Sequence, residues 1–428
     1  MKITYLLVSP MNATDIKLLF GSPNSALKVS VILPVKDEAD CIVETLLALY
    51  HQKDPYGVAV NKSLYEVLVL VNNCSDNSYQ LCTNFQKNHK DFNLHICQLT
   101  LPPDIAHIGT VRKLLMDNAC SRLMSLGCDR GIIVSTDGDS QVDSKWIYHI
   151  MAEMNKGVDV VSGRIIPRDV PLASKWPHLR DVNYRFLVSR LEALIDPCPS
   201  DPWPRHFQCY GPSIAVTCQM YKKVGGIRAI PFLEDEEFRK ALKRVDAKIR
   251  KSPNVIIYTS SRLIGRVTFG FSVQLSQWQQ MQSEGLEQLV DDFDSTFTRL
   301  KNKRLLRSFW LGCKNGQIEL EGMKSLAHSL HLDYSWLVIQ VYSKKYFEHL
   351  WEEIEFQLSD PGHPLIRKTS ISIAISQFRN YFADFKGVSI PVKAVQKESE
   401  DKSGYLNPLR TSNLSVVAIE RLLEKSLS

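Results

Sequence analysis

Short apolar runs alternate with longer segments of helical spacing from residue 28 to about residue 166. Apolar runs of this length favour β-strands, and apolar residues recurring at steps of three and four favour helices. The predicted strands are 28–34, 66–73, 93–99, 131–134 and 158–166, and the predicted helices are 37–50, 75–88, 109–126 and 144–155. Such alternation predicts an α/β fold: a mixed, mainly parallel, Rossmann-like sheet flanked by helices on both faces.

The character of the sequence changes near residue 275, where Trp, Gln, Leu and charged residues begin to recur at helical spacing. We therefore expect a mostly helical region to follow the α/β domain. The predicted organisation is an N-terminal extension at 1–27, an α/β domain at 28–275, a helical region at 276–388 and a polar, flexible tail at 389–428.

The composition of the chain limits the classes of function that it can have. The chain has 428 residues, 44% apolar residues and a net charge of +6, which suits phosphate-bearing small molecules and does not require nucleic acid. Ten cysteines stand singly, without CxxC or Cys/His metal spacing, so we expect reduced thiols and a cytoplasmic location. The sequence shows neither a signal peptide nor an apolar run long enough to span a membrane.

Polar residues cluster where the predicted strands end. Ligands bind beyond the carboxyl ends of the strands in sheets of this kind. The polar residues at these ends are Asp37 and Glu38, Asn72 and Asn73, and Asp137 and Asp139.

The stretch "GIIVSTDGDSQV" ends a buried strand on Asp137-Gly138-Asp139. By itself it is typical of a turn, because glycine tolerates positive φ and aspartate bonds to its own backbone. The alternative is a metal site, since side chains two apart in a strand point the same way and both carboxylates can face one cation. The other strand ends favour the second interpretation.

Two further stretches carry a family resemblance. "VILPVKDEAD" and "VLVNNCSDNS" together resemble the nucleotide-binding opening of glycosyltransferase family 2. Pro34, Asp37 and Glu38 match the first part, and Asp76 and Ser78 match the second. The resemblance implies that these turns hold the nucleobase and ribose of a sugar nucleotide. The alternative for either stretch is an ordinary turn between a strand and a helix.

The chain departs from that family at Val71 and Asn72, where two aspartates are common. Asn72 can still donate and accept hydrogen bonds at a base edge. "AHIGTVRKLLMDNA" resembles the family's Gly-x-Ala-x-Ala-Arg-Asn segment, with Gly109 and Arg112 in place and Lys113 where asparagine is frequent. The resemblance implies that Arg112 reaches a phosphate. A solvated helix face is the alternative.

"STDGDSQVDSKWI" resembles the family's Asp-x-Asp motif with its trailing tryptophan. The resemblance implies that Asp139 is a direct ligand of Mg²⁺ or Mn²⁺ and that Asp137 binds the sugar nucleotide and supports the metal. Either cation suits oxygen ligands and would neutralise a diphosphate leaving group.

"VGGIRAIPFLEDEEFRKAL" resembles the acceptor site of the same family, where Glu-Asp follows Gly-Gly. An inverting transfer needs one carboxylate to take the proton of the acceptor hydroxyl. We assign that role to Asp235, with Glu234 as the second choice. The alternative is a set of acids that stabilises a helix N-terminus. A further predicted strand, "NVIIYTSSR", leads into Arg262 and Arg266, which either clamp a diphosphate or an acidic acceptor or form surface ion pairs.

The order of these motifs across residues 29–270 favours an inverting, metal-dependent, hexosyltransferase-type enzyme with a GT-A fold. It would use a nucleoside-diphosphate sugar and an acceptor hydroxyl on a small molecule, lipid or glycan. The helical region leaves contact with a membrane surface open. A sugar-phosphate nucleotidyltransferase is one alternative, but "PVKDEADC" lacks the glycine-rich loop that those enzymes carry after the first strand. A non-catalytic sugar-nucleotide-binding protein is the other. The presence of Asp137, Asp139 and Asp235 argues against it, whereas Val71 and Asn72 leave it open.

Overall fold

The computed structural model describes residues 20–261, 270–317, 319–360 and 362–385. The strands are β1 (Val29–Val35), β2 (Tyr65–Asn72), β3 (Leu94–Leu99), β4 (Ile132–Ser135), β5 (Ser140–Val142), β6 (Val160–Pro167), β7 (Ile214–Thr217), β8 (Ile249–Thr259), β9 (Leu289–Asp291) and β10 (Lys368–Ser370). The helices are α1 (Ile42–Tyr50), α2 (Ser78–Asn88), α3 (Ile108–Ser125), α4 (Trp146–Met154), α5 (Leu172–Ile195), α6 (Cys218–Lys223), α7 (Glu234–Lys243), α8 (Phe271–Ser283), α9 (Phe293–Lys314), α10 (Leu320–Ser329), α11 (Tyr334–Ser343), α12 (Phe347–Leu358) and α13 (Ile371–Phe385).

One sheet holds the first eight strands in the order β3-β2-β1-β4-β7-β6-β8-β5. β1 runs parallel to β2 and β4, β2 to β3, and β6 to β8. β7 is antiparallel to both β4 and β6, and β5 is antiparallel to β8. The predicted mixed, mainly parallel sheet is therefore confirmed, although the sequence did not reveal β5 or β7 as strands.

The central strands are buried on both faces because alternate side chains enter two different cores. In β2, Val67 and Val69 pack in the core formed with α1, α2 and α4. Leu68 and Leu70 point the other way and pack in the core formed with α3 and α6. This explains why the middle of the strand, residues 67–71, is continuously apolar instead of alternating with polar residues.

The first helix begins later than the sequence indicated, at Ile42 instead of residue 37. Asp37 adopts a left-handed conformation with φ of 50°, which a helix interior does not contain. The carbonyl of Glu38 accepts the N–H groups of Cys41 and Ile42 at 3.1 and 2.9 Å. Asp37 and Glu38 therefore stand in the turn beyond β1, on the carboxyl edge of the sheet.

The helical region that follows the sheet is confirmed. It has an apolar core of its own, to which α9, α10, α11 and α12 contribute. β9 and β10 form a small antiparallel pair within it, which the sequence did not reveal because each strand has only three residues.

Ion pairs join the helical region to the α/β part. Arg244 contacts both carboxylate oxygens of Glu352 at 2.5 and 2.6 Å. Asp246 accepts the backbone N–H groups of Phe347 and Glu348, at the start of α12. Among the described residues, those up to Phe378 form one compact unit, and those from Arg379 to Phe385 belong to a second. The domain boundary near residue 275 remains a prediction.

No helix within residues 20–261, 270–317, 319–360 and 362–385 is long and apolar enough to cross a membrane. All ten cysteines are free thiols, as the sequence indicated. Cys198 is exposed, however, whereas Cys82, Cys120, Cys209 and Cys218 are buried.

Candidate functional site

The turns that follow β1 and β2 are tied to each other by hydrogen bonds. The carboxylate of Asp76 accepts the N–H of Ala39 at 2.9 Å and that of Ser78 at 3.0 Å. The hydroxyl of Ser78 accepts the N–H of Glu38 at 2.8 Å, and Asp37 accepts the N–H of Ser75 at 2.6 Å. Four residues named from the sequence, Asp37, Glu38, Asp76 and Ser78, thus build one surface from two separate turns.

Asn72 ends β2 and is buried. Its side-chain oxygen Oδ1 has no hydrogen-bond partner among the residues that the structure describes. A buried polar atom without a partner is uncommon in folded proteins and indicates a missing partner. Pro34 lies within the adjacent strand β1, where it pairs with Leu70.

The Asp-x-Asp stretch is both a tight turn and part of the polar cluster. The N–H of Ser140 donates to the carbonyl of Asp137 at 3.1 Å, and the hydroxyl of Thr45 donates to the carbonyl of Gly138 at 3.0 Å. A Cβ atom on Gly138 would lie 3.0 Å from Cγ of Glu38. The turn therefore packs directly on the turn that follows β1, and only glycine fits there without displacing Glu38.

Arg112 is buried on α3 and bridges two of the predicted motifs. Its Nη2 contacts Oδ1 of Asp137 at 2.8 Å, and its Nη1 contacts Oε1 of Glu234. A Cβ atom on Gly211 would lie 2.6 Å from Nη1, so a side chain at that position would displace the guanidinium. The structure thus places Arg112 between the Asp-x-Asp turn and the start of α7.

Among the described residues, the carboxylates close to Arg112 carry more negative charge than its single positive charge offsets. Burial raises the pKa of Asp137 above its usual range; Arg112 opposes this shift, and the nearby charges of Asp235 and Glu38 add to it. Burial likewise raises the pKa of Glu234, with Arg112 opposing and Asp235 adding. The site therefore holds a surplus of negative charge, which a bound cation would offset.

Asp235 is more accessible than its neighbour Glu234, which is 4% exposed. Its Oδ2 accepts the N–H of Gly211 at 2.7 Å, and its Oδ1 accepts the N–H of Glu236 at 2.9 Å. The preceding residue, Leu233, has a left-handed φ of 58°, which is unusual for a bulky side chain. Such strain is frequent at functional sites.

The structure brings together Asp137, Glu234 and Asp235 around Arg112, with Glu38 near Asp137 and Asp139 in the same turn as Asp137. Arg262 and Arg266 lie outside the described residues. The sequence did not indicate two further residues of the site. Thr45 holds the Asp-x-Asp turn, and Gly211 leaves room for the guanidinium of Arg112. Gly211 stands in a Gly-Pro pair, which signals only a backbone turn; Thr45 has no local signal.

Another group in the described ranges, Asp37, Cys74 and Asp76, has ligand atoms within 4.8 Å of one another. A thiol is a poor ligand for Mg²⁺ or Mn²⁺, which prefer oxygen. Asp137 and Asp139 offer only carboxylate oxygens, in a cluster with surplus negative charge, so the donor set there fits Mg²⁺ or Mn²⁺ better.

A mixed sheet with carboxylates gathered at the carboxyl ends of its strands agrees with the GT-A fold that the sequence resemblance implies. Residues 30–203 match the model described as glycosyl transferase family 2. No curated protein matches the sequence of the chain.

Several solved structures are similar to the chain. Staphylococcus aureus TarS 1–349 in complex with UDP-GlcNAc is 17% identical, with a TM-score of 0.40, and the match covers 84% of this chain and 92% of that one. The mannosyltransferase PcManGT from Pyrobaculum calidifontis in complex with GDP-Man and Mn²⁺ is 15% identical, with a TM-score of 0.37 and coverage of 86% and 90%. The match to a longer TarS chain covers 71% of this chain and 48% of that chain, about half its length.

Proposed function

We propose that the protein transfers a sugar, with inversion, from a nucleoside-diphosphate sugar to an acceptor hydroxyl. The observation that carries the proposal is a cluster of carboxylates in the described part of the chain. Asp137, Glu234 and Asp235 lie around the guanidinium of Arg112, and Glu38 lies near Asp137. The surplus negative charge of the cluster favours a divalent cation, and its position at the carboxyl ends of the strands is where sheets of this kind bind ligands.

The donor nucleotide would occupy the surface formed by the turns after β1 and β2. Asn72 offers a buried acceptor, Oδ1, without a hydrogen-bond partner in the described part of the chain. An N–H at the edge of a base would satisfy this atom. Pro34, Glu38 and Asp76 would shape the surface that holds the base and the ribose.

We propose a different role for Arg112 from the one that the family resemblance implied. Both of its terminal nitrogens already contact carboxylates, those of Asp137 and Glu234. We therefore propose that Arg112 positions these two acids, and that contact with the donor phosphates comes from other groups. Arg262 and Arg266 remain proposals for that contact.

Asp139 and Asp137 would hold Mg²⁺ or Mn²⁺, which would neutralise the charge that develops on the diphosphate leaving group. Asp235 would accept the proton of the acceptor hydroxyl as the oxygen attacks the anomeric carbon from the face opposite the diphosphate. The carboxylate keeps free lone pairs for this proton beyond the two that accept the N–H groups of Gly211 and Glu236. Glu234 is the less suitable base because it is buried against Arg112.

Two observations separate this proposal from its alternatives. The turn at 36–41 contains no glycine, so it lacks the phosphate loop of a nucleotidyltransferase. The acids needed for transfer converge in space, which a purely binding protein would not require. The free cysteines suit a reducing compartment, so we retain the cytoplasm as the proposed location.

The direct test has two stages. Thermal-shift measurements with UDP, GDP, dTDP and CDP, each with Mn²⁺, would identify the nucleotide, because a ligand in large excess over its Kd stabilises the fold by a few kcal/mol. Release of that nucleoside diphosphate from the matching sugar nucleotides would then be followed with Mn²⁺ or EDTA. If a nucleotide stabilises the fold but no nucleoside diphosphate is released in a metal-dependent way with any of a range of hydroxyl acceptors, sugar transfer is contradicted and a binding protein is favoured.

A further inference from the structure

A cavity lies between the α/β part and the helical region. Its volume is about 390 Å³, at the lower end of the range for small-molecule sites. Elements from both parts of the chain contribute to it: α5, β8, β9, α9 and β10. It is lined by four cations, Arg185, Lys251, Arg299 and Lys368, and by three acids, Asp181, Glu192 and Asp291.

The three acids are each neutralised by a close cation. Asp181 contacts Nε of Arg185 at 2.8 Å, and Asp291 contacts Nζ of Lys368 at 2.6 Å. Glu192 contacts Nη2 of Arg205, just outside the cavity, at 2.5 Å. These short contacts leave the remaining two cations of the lining, Lys251 and Arg299, without a carboxylate at hydrogen-bond distance.

Lys251 and Arg299 make only long ionic contacts. Nζ of Lys251 lies 3.6 Å from Asp201, whose carboxylate also serves Arg205 and Arg250. The guanidinium of Arg299 lies 3.9 Å from Asp291 and 3.6 Å from Glu355. Its Nε is buried and has no hydrogen-bond partner within the described ranges. Buried donors of this kind favour an acceptor supplied by a ligand.

The pKa of Lys251 also agrees with a ligand that supplies an anionic acceptor. Burial lowers the pKa of its ammonium below the usual value; Glu192 opposes the shift and Arg205 adds to it. An anion beside Lys251 would favour the charged form. Tyr184 and Phe207 also line the cavity and offer apolar faces to the organic part of a ligand.

This cavity is separate from the proposed donor site. Thr259, which pairs with Ser140 next to Asp139, stands at the other end of β8 from Lys251. Eight residues of strand correspond to roughly 25 Å. None of the residues proposed for donor binding or catalysis lines the cavity.

We propose that this cavity binds a phosphate monoester of about the size of a hexose phosphate, with the phosphate between Lys251 and Arg299. Arginine binds phosphate through two parallel hydrogen bonds, and lysine adds a point charge. A free phosphate ion would satisfy the same two cations but would leave most of the cavity unfilled. An organic phosphate monoester and inorganic phosphate should therefore bind this cavity with different affinities.

Isothermal titration calorimetry on the full chain would test the proposal with glucose 6-phosphate, inorganic phosphate and glucose. We expect glucose 6-phosphate to bind most tightly, inorganic phosphate more weakly and glucose not at all. Lys251→Gln and Arg299→Gln should each lower the affinity for glucose 6-phosphate about ten-fold or more, the usual effect of losing a charged hydrogen bond. Lys301→Gln, at an exposed position of α9, is the matched control and should bind like the wild type.

The melting temperature of each variant would be measured together with its affinity. If Lys251→Gln fails to fold, because Lys251 belongs to an ionic network, Arg299→Gln decides the question. Unchanged affinity in Arg299→Gln, or absence of binding by both phosphates at millimolar concentration, would overturn the site. Equal affinity for inorganic phosphate and glucose 6-phosphate would overturn the assignment to an organic ligand.

Discussion

The guanidinium of Arg112 contacts Asp137 at 2.8 Å and thereby connects α3 to the Asp-x-Asp turn. Through its other terminal nitrogen it also contacts Glu234, 122 residues further along the chain. One buried cation thus fixes the distance between the proposed metal site and the helix that carries the proposed base. Loss of that cation would leave the buried carboxylate of Glu234 and the half-buried carboxylate of Asp137 without their shared partner.

Arg112→Met should destabilise the protein by about 3–5 kcal/mol, the usual cost of leaving the partners of a buried ion pair unpaired. Because the pKa values of Asp137 and Glu234 are already raised, lower pH should protonate them and reduce this cost. Urea unfolding at pH 8 and pH 5 would measure the difference. Arg112→Lys, which keeps the positive charge, should lose less stability than Arg112→Met. Equal losses of stability in the two variants would show that the charge is unimportant.

Asp139→Asn should abolish metal-dependent nucleotide binding while the fold is retained. The residue is half-buried in the turn, so the substitution changes the charge of a proposed ligand without opening the core. Calorimetry with UDP or GDP, with Mn²⁺ or with EDTA, would measure the effect. Asp104→Asn, at an exposed position, is the control. Nucleotide affinity that survives both EDTA and Asp139→Asn would show that the metal site is wrongly assigned.

Asp235→Asn should lower kcat by about 10²–10⁴ with little change in donor affinity, because an amide cannot take the acceptor proton. Both carboxylate oxygens accept backbone N–H groups, so asparagine also loses one acceptor, and the melting temperature must be followed.

Glu236→Gln is the matched control for Asp235→Asn. Glu236 contacts Arg239 at 2.6 Å, away from Arg112, and the variant should keep nearly full turnover. Glu234→Gln should act mainly on stability, since Glu234 is buried against Arg112. Normal turnover in Asp235→Asn together with an inactive Glu234→Gln would transfer the role of base to Glu234.

His206 should make the fold sensitive to acid. Its ring accepts the N–H of Gln208 through Nδ1 and donates to the carbonyl of Ser162 through Nε2, each at 3.1 Å. Burial lowers its pKa to about 3, so the unfolded chain takes up a proton below pH 6.5 and the folded chain does not.

Stability should therefore fall as pH decreases from about 6.5 towards 3, by up to about 1.4 kcal/mol per pH unit from this group. His206→Gln should flatten that slope between pH 6.5 and 5, where few carboxylates titrate. His328→Gln, at an exposed position, should leave the slope unchanged. Denaturant unfolding across this range would detect the effect, and parallel slopes for all three proteins would contradict it.

Asp246→Ala should destabilise the protein by about 0.5–2 kcal/mol without changing nucleotide affinity. The substitution removes the carboxylate that accepts the N–H groups of Phe347 and Glu348 at the start of α12. Asp246 has a φ of 50°, so Asp246→Asn, which tolerates that conformation, is the milder control. Weaker nucleotide binding in a well-folded Asp246→Ala would show that the helical region takes part in the donor site.

The sequence allowed the parallel part of the sheet and the strand-end acids to be predicted, because both depend on local patterns. β1 and β2 are mostly apolar, and acidic residues follow both strands. β5 and β7 were not predicted as strands, because three and four residues leave almost no periodic signal. The contacts of Arg112 were not predicted for a different reason: its partners, Asp137 and Glu234, are brought to it by long-range packing, which a single sequence does not display.

The Asp-x-Asp turn is anchored at both ends. Before it, the N–H of Thr136 donates to the carbonyl of Ile32, and after it Ser140 pairs with Thr259 of β8. A strand exposes alternate residues, so one inserted or deleted residue between these anchors would exchange the buried Val142 with its neighbour Gln141. The spacing between the two aspartates is thus fixed by the register of the sheet as well as by the chemistry of the site. Evolution can change the side chains of this turn far more easily than its length.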